Sequence, residues 1–247
     1  MDLSRPLLGV FAHPDDETFG MAGTLALAHR SGGRVGVFSA TRGEKGKLNL
    51  PQPMTEEELG RLREHELEDA ARILGIDQLY VWNYPDGAVD QAPQDELLSV
   101  VLDVIRSFEP FTVVTFSPEG GTGHRDHVAM HRIATRAFHE AQKTMARPPK
   151  ELYYRAVPAK ILPELTAYRS QRQRTEGHYH ENLVAEHNGD DDLVRIDITP
   201  VLGIKERAAL AHASQAPQRF LNRSRSIPSI PDEFWVSEYF YRAWPRA

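Results

Sequence analysis

Leu7-Leu8-Gly9-Val10-Phe11-Ala12-His13-Pro14-Asp15-Asp16-Glu17 passes from a six-residue apolar run straight into a histidine and three acidic side chains. Such a run, without polar alternation, predicts a strand (Leu7–His13) buried on both faces of a parallel sheet. Arg34–Thr41, Gln78–Tyr84 and Phe111–Ser117 repeat the pattern. Amphipathic stretches between and after them predict helices at Phe19–Ser31, Glu56–Leu74, Gln94–Phe108 and Asp126–Lys143. The second of these carries its own punctuation. Thr55 with Glu58 forms a capping box, and Gly75 stops the helix. Strands alternating with helices predict an α/β fold, a Rossmann-like, doubly wound and mostly parallel sheet.

The rhythm changes after Lys150. Strand-like Leu152–Val157 and Leu193–Thr199 flank a polar segment, Pro163 to Asp192, that has no period. A helix at Pro200–His212, a Ser/Pro-rich loop and the aromatic segment Phe234–Trp244 follow. The expectation is a single domain over 1–247, with its core in about 5–150 and a smaller C-terminal appendage in about 151–247. A net charge of -6 argues against nucleic acid, which asks for a basic surface. With no cysteine, a transition metal can be held only by histidine and carboxylate. The first apolar run is too short for a secretory signal, and no stretch approaches a membrane span, so a cytoplasmic protein is expected. The sequence leaves open whether the chain forms a homo-oligomer.

A doubly wound sheet carries its site at the carboxyl ends of its strands, where the strand order reverses. In the order 3-2-1-4-5 that crevice lies between strands 1 and 4. The two densest polar sequences follow those strands: His13-Pro14-Asp15-Asp16-Glu17 and His124-Arg125-Asp126-His127. A turn with a helix cap accounts for one acidic residue after strand 1 but not for three beside a histidine. Catalytic zinc takes three protein ligands and keeps one position open. His13 and Asp16 supply a near pair, and His124 or His127 supplies the third. A neighbouring carboxylate can deprotonate a water, and a second histidine can protonate a leaving amine.

Ala12-His-Pro-Asp-Asp-Glu17 and Gly123-His-Arg-Asp-His127 resemble the signatures of the PIG-L/LmbE-like family of zinc-dependent N-acetylglucosaminyl deacetylases. The likeness extends to Thr41-Arg-Gly-Glu44, Glu66-Leu with Leu74-Gly75, Tyr84-Pro-Asp-Gly87, and Lys205 with His212-Ala-Ser-Gln215. It implies zinc bound by His13, Asp16 and His127, and Asp15 as general base. His124 would stabilise the oxyanion and assist the amine, and Asp126 would orient His124. The implied substrate is a small-molecule N-acyl amino-sugar of the N-acetylglucosamine type. Free, phospholipid-linked, malate-linked and inositol-linked sugars all fall within the family. Arg125 departs from the proline usual there and adds a cation near the crevice.

Arg63 falls within the apolar face of the second helix, formed by Leu59, Leu62, Leu67, Ala70, Ala71 and Leu74, so its charge needs a partner. Glu66, three residues on, is the local choice; the resemblance implies a sugar contact instead. Asp86 in Pro85-Asp86-Gly87 reads as a turn residue, and the resemblance implies a contact to a sugar hydroxyl. His131 reads as a core or supporting residue, and His178, His180 and His187 as solvated loop histidines. The role of His212 is open. Two other classes compete with a deacetylase. A nucleotide-binding protein is disfavoured because Gly20-Met-Ala-Gly23 lacks the dinucleotide spacing and no phosphate loop is present. A catalytically silent sugar-binding module would be expected to lose Asp15 or a ligand. An amidase acting on another N-acyl substrate is the remaining alternative.

Overall fold

The computed structural model describes residues 1–167, 193–215, 227 and 229–245. In chain order, β1 is Leu7–Phe11, α1 Asp16–Arg30, β2 Val35–Ser39, α2 Glu56–Leu74 and β3 Gln78–Val81. Then come α3 Gln94–Phe108, β4 Thr112–Thr115, α4 Arg125–Thr144, β5 Glu151–Ala156 and β6 Leu193–Asp197. The helix Leu202–Ala211 (α5), the single turn Asp232–Trp235 (α6) and the strand Ser237–Trp244 (β7) complete the series.

One sheet has the order β3-β2-β1-β4-β5-β7-β6. β1 to β5 are parallel, and β7 runs antiparallel between β5 and β6. Every residue of β1, β2 and β4 is buried, which is why these strands read as unbroken apolar runs. Helices α1, α2 and α5 pack together, as do α3 and α4. Right-handed crossovers place these two groups on opposite faces. The strand order reverses at β1 and β4, where the sequence placed the crevice.

The predicted strands run two or three residues past the observed ends. The cause lies in the chain's departure from the pleat as it enters the crevice. Sheet-like bonding still continues there, with the Ala40 and Thr41 amides donating to Phe11 and Ala12 carbonyls at 3.0 and 2.9 Å. Helix α1 starts three residues earlier than predicted, at Asp16, so the acidic run forms its first turn. In α2 both halves of the capping box are made, and Gly75 adopts φ 74° as the left-handed stop.

From Glu151 onward the chain extends the same sheet. β7 also repairs a break in α1, where Met21 leaves helical geometry (φ -152°, ψ 21°). The amides of Gly23 and Thr24 and the Thr24 hydroxyl donate to the Glu238 carboxylate on β7 at 2.7–3.0 Å. Lys205 of α5 pairs with the same carboxylate at 2.6 Å. The buried charge is thereby compensated, and β7, α5 and α1 are tied at one point. His178, His180, His187 and residues 168–192 of the polar segment lie outside the described residues.

Candidate metal centre

Pro14 and Asp15 turn the chain out of β1 and into α1. Asp15 caps that helix with φ 102°, in a left-handed region that non-glycine residues rarely occupy. The turn points His13 and Asp16 toward the loop before α4. His13 Nδ1 lies 3.2 Å from His127 Nε2 and 3.4 Å from Asp16 Oδ2, and His127 Nε2 lies 3.3 Å from Asp16 Oδ1. A tetrahedral zinc with bonds of roughly 2.0–2.1 Å spaces its ligand atoms about 3.3 Å apart. The triangle fits.

The remaining ring nitrogens are hydrogen-bonded. His127 Nδ1 donates to the Gly120 carbonyl at 3.0 Å, leaving Nε2 as a lone pair toward the centre. His13 Nε2 lies 3.1 Å from both Asp126 Oδ2 and Asp86 Oδ1 and donates to them. Against the effect of burial, these carboxylates and Asp16 hold the imidazole well above its ordinary pKa, so a metal at Nδ1 would displace a proton. Phe116 stacks on the His127 ring with centroids 4.1 Å apart, fixing its plane. Burial alone would push the Asp16 carboxyl up. The imidazoles of His127 and His13 outweigh it and hold the carboxyl far below the ordinary range, so Asp16 is an anion. Burial pushes His127 down to about 4, so its imidazole is neutral, the form that can bind a metal.

His124 and His127 use their Nδ1 atoms differently. The His124 side chain caps α4, accepting the Asp126 amide on Nδ1 at 3.3 Å. Its ring stands edge-on to His13, with centroids 4.9 Å apart. Among the described contacts Asp126 meets His124 through its amide, and its carboxylate turns elsewhere. That carboxylate is fully buried, accepting from the Gly87 amide at 2.6 Å, the Val89 amide at 3.0 Å and His13 Nε2. As the second residue of α4 it gives its amide to His124 while its side chain reaches across to the Gly87 turn and His13.

Arg63 is buried, 4% exposed, but its partner is not Glu66. Its guanidinium donates to Asp15 Oδ2 at 3.1 Å, the Pro14 carbonyl at 2.6 Å and the Gly43 carbonyl at 2.7 Å. Gly43 makes room for it: a Cβ there would stand 2.2 Å from Arg63 Nη1. Glu66 instead accepts the Ser214 amide and hydroxyl, both at 2.7 Å, and ties α2 to the segment after α5. Asp86 is also buried. One oxygen faces His13, and the other accepts the Lys45 amide at 2.9 Å. Asp15 keeps 17% side-chain exposure. Burial is the main cause that pushes its carboxyl up to about 6, against the pull of Arg63 and with a push from Asp16. That value suits a base working near neutrality.

The added cation Arg125 pairs with Asp90 at 2.7 Å. His131 donates to or accepts from no ligand of the centre; its Nδ1 meets the Phe116 carbonyl at 2.9 Å, and its ring rests edge-on against Tyr154. His212 is fully buried, with Nε2 2.9 Å from Glu17 Oε1. Arg155, which the sequence did not single out, sits at the end of β5 over Phe116, with Nη1 3.4 Å from the Asp16 carbonyl. The available signal was Gly20, where a Cβ would lie 1.9 Å from the Arg155 guanidinium carbon.

A family model described as PIG-L, GlcNAc-PI de-N-acetylase, matches residues 8–138. The 1D-myo-inositol 2-acetamido-2-deoxy-alpha-D-glucopyranoside deacetylase of Salinispora arenicola is 30% identical, over 96% of this chain and 84% of that protein. The protein of the same name from Thermobifida fusca is 32% identical, over 96% and 92%. The solved structure of N,N'-diacetylchitobiose deacetylase from Pyrococcus horikoshii shares the fold. Its TM-score is 0.67 at 20% identity, over 96% of this chain and 83% of that one.

Proposed function

The chain belongs to the PIG-L family of GlcNAc-PI de-N-acetylases, and on that premise we propose that it hydrolyses the N-acetyl amide of an N-acetylglucosamine conjugate. The single observation that carries the chemistry is the cluster of His13 Nδ1, the Asp16 carboxylate and His127 Nε2, with 3.2 Å between the two nitrogens and one carboxylate oxygen 3.3–3.4 Å from each, and the Asp15 carboxylate on the adjoining residue. These three would hold one zinc. When bound, zinc supplies Lewis acidity to the amide carbonyl and lowers the pKa of a water.

The protein's own groups do the rest. Asp15 takes the proton from the attacking water, and Arg63 keeps its carboxylate in place and ionised near neutral pH. His124, through the nitrogen not used in capping α4, donates a hydrogen bond to the developing oxyanion, and the proton that Asp15 took from water passes to the departing amine. Asp126 and Asp86 fix the His13 ring so that Nδ1 faces inward. Asp86, beside His13, and Arg63, beside the base, are the groups proposed to contact the sugar. The substrate is a small molecule, and no described helix is long and apolar enough to cross a membrane.

The inositol-linked N-acetylglucosaminide is the first substrate to assay, because the curated relatives are named for it. The zinc-reconstituted protein should release acetate and free amine in equal amounts, and a chelator should abolish both. No acetate from inositol-linked, phospholipid-linked, malate-linked or free N-acetylglucosamine would overturn the reading.

A further inference from the structure

Asp15 holds its left-handed backbone without glycine's freedom, so its surroundings must compensate the strain. Its carbonyl accepts the Thr18 and Phe19 amides at 3.0 and 2.8 Å, as a helix cap does. Its own amide is taken by Glu17 Oε2 at 3.0 Å. The other Glu17 oxygen accepts the Thr18 hydroxyl and His212 Nε2, the latter at 2.9 Å. Glu17 and His212 are 1% and 0% exposed, so water does not stand in for either partner. His212 arrives from the end of α5, where Ser214 is anchored to Glu66 on α2. His212 Nδ1 finds no hydrogen-bond partner among the described residues, so the imidazole is buried for the sake of its Nε2 bond.

We propose that His212, through Glu17, is a positioning residue that holds Asp15 in its left-handed conformation and so aims the catalytic carboxylate. Removing the His212 donor leaves the Glu17 carboxylate buried and under-partnered, free to turn away from the Asp15 amide. Asp15 then relaxes toward ordinary backbone angles, and the base shifts relative to the metal centre. The kinetic consequence rests on the deacetylase reading; the structural one does not.

The test uses full-length, zinc-reconstituted protein and the substitutions His212→Leu, His212→Asn and His212→Gln. Leucine removes the donor. The asparagine amide reaches only the Nδ1 position, whereas the glutamine amide reaches that of Nε2. His212→Leu should lower kcat by roughly 10- to 100-fold, the cost of a misplaced group, with KM and metal stoichiometry unchanged. His212→Gln should recover most of the loss. A crystal structure of His212→Leu should show the Asp15–Glu17 bond broken and the Asp15 φ no longer positive. If His212→Leu fails to fold, His212→Asn is held to the same expectations. A folded Leu or Asn variant with one metal, wild-type kcat and unchanged Asp15 φ would overturn the proposal. Equal losses in Gln and Leu would do the same. An inactive wild type would sink the deacetylase reading, and the Asp15 angle in the variant would still decide this one.

Discussion

Arg63 and Asp15 form a buried ion pair at 3.1 Å in which the same guanidinium nitrogen also takes the Pro14 carbonyl at 2.6 Å. One side chain from α2 thus grips both the peptide before the base and the base itself. Its effect on Asp15 has a definite sign: the cation holds down a carboxyl that burial pushes up.

Replacing Arg63 by alanine therefore lets the Asp15 carboxyl rise further. A base with a higher pKa is protonated over a wider pH range. The acidic limb of kcat/KM should move to higher pH, and activity should fall most below neutrality. If Arg63 served only as a sugar contact, KM would rise and the limb would stay where it is. A pH profile of kcat/KM with metal-loaded protein separates the two.

Asp126→Asn tests the role of that residue. Asparagine weakens the hold on His13 Nε2, so zinc affinity should drop by about 10- to 100-fold, the usual worth of a group supporting a metal ligand. Competition with a metal indicator measures it. An unchanged affinity with a lowered kcat would instead return Asp126 to the His124 role.

His124→Ala should keep one metal per chain and lose about 10²–10³-fold in kcat, as expected for an oxyanion donor. Combined with Asp15→Asn, it should cost less than the product of the two losses, because both act on one transition state. Loss of metal from His124→Ala would make it a ligand.

Glu238→Ala addresses the fold. It removes the carboxylate 2.6 Å from buried Lys205 and strips the cap from the broken turn of α1. A loss of about 3–5 kcal/mol is expected, the cost of breaking a buried pair from one side. Thermal and denaturant unfolding should show it. Wild-type stability would mean that β7 does not secure α1.

The crevice was legible because β1 and β4 are apolar throughout and each ends in a dense polar motif, so counting strands located it. The destinations of individual side chains were not. His124 and His127 are equivalent in composition and both engage Nδ1; they differ in that His124 Nδ1 accepts the Asp126 amide whereas His127 Nδ1 donates to the Gly120 carbonyl. Arg63 and Glu66 share a helix face but find partners far along the chain, at Asp15 and Ser214, because loops from other strands close over α2. The Glu17–His212 bond joins residues 195 apart in sequence, a separation that no local pattern encodes. The break at Met21 was hidden too, since its compensation comes from Glu238.

The most direct measurement is turnover of Asp15→Asn, read beside its metal content. Asparagine keeps the shape and removes the proton acceptor. Elemental analysis should find one zinc per chain in both proteins, while acetate release from the inositol-linked N-acetylglucosaminide falls by roughly 10²–10⁴-fold in the variant. Wild-type turnover by a fully loaded Asp15→Asn would contradict the account and show that Asp15 is not the base.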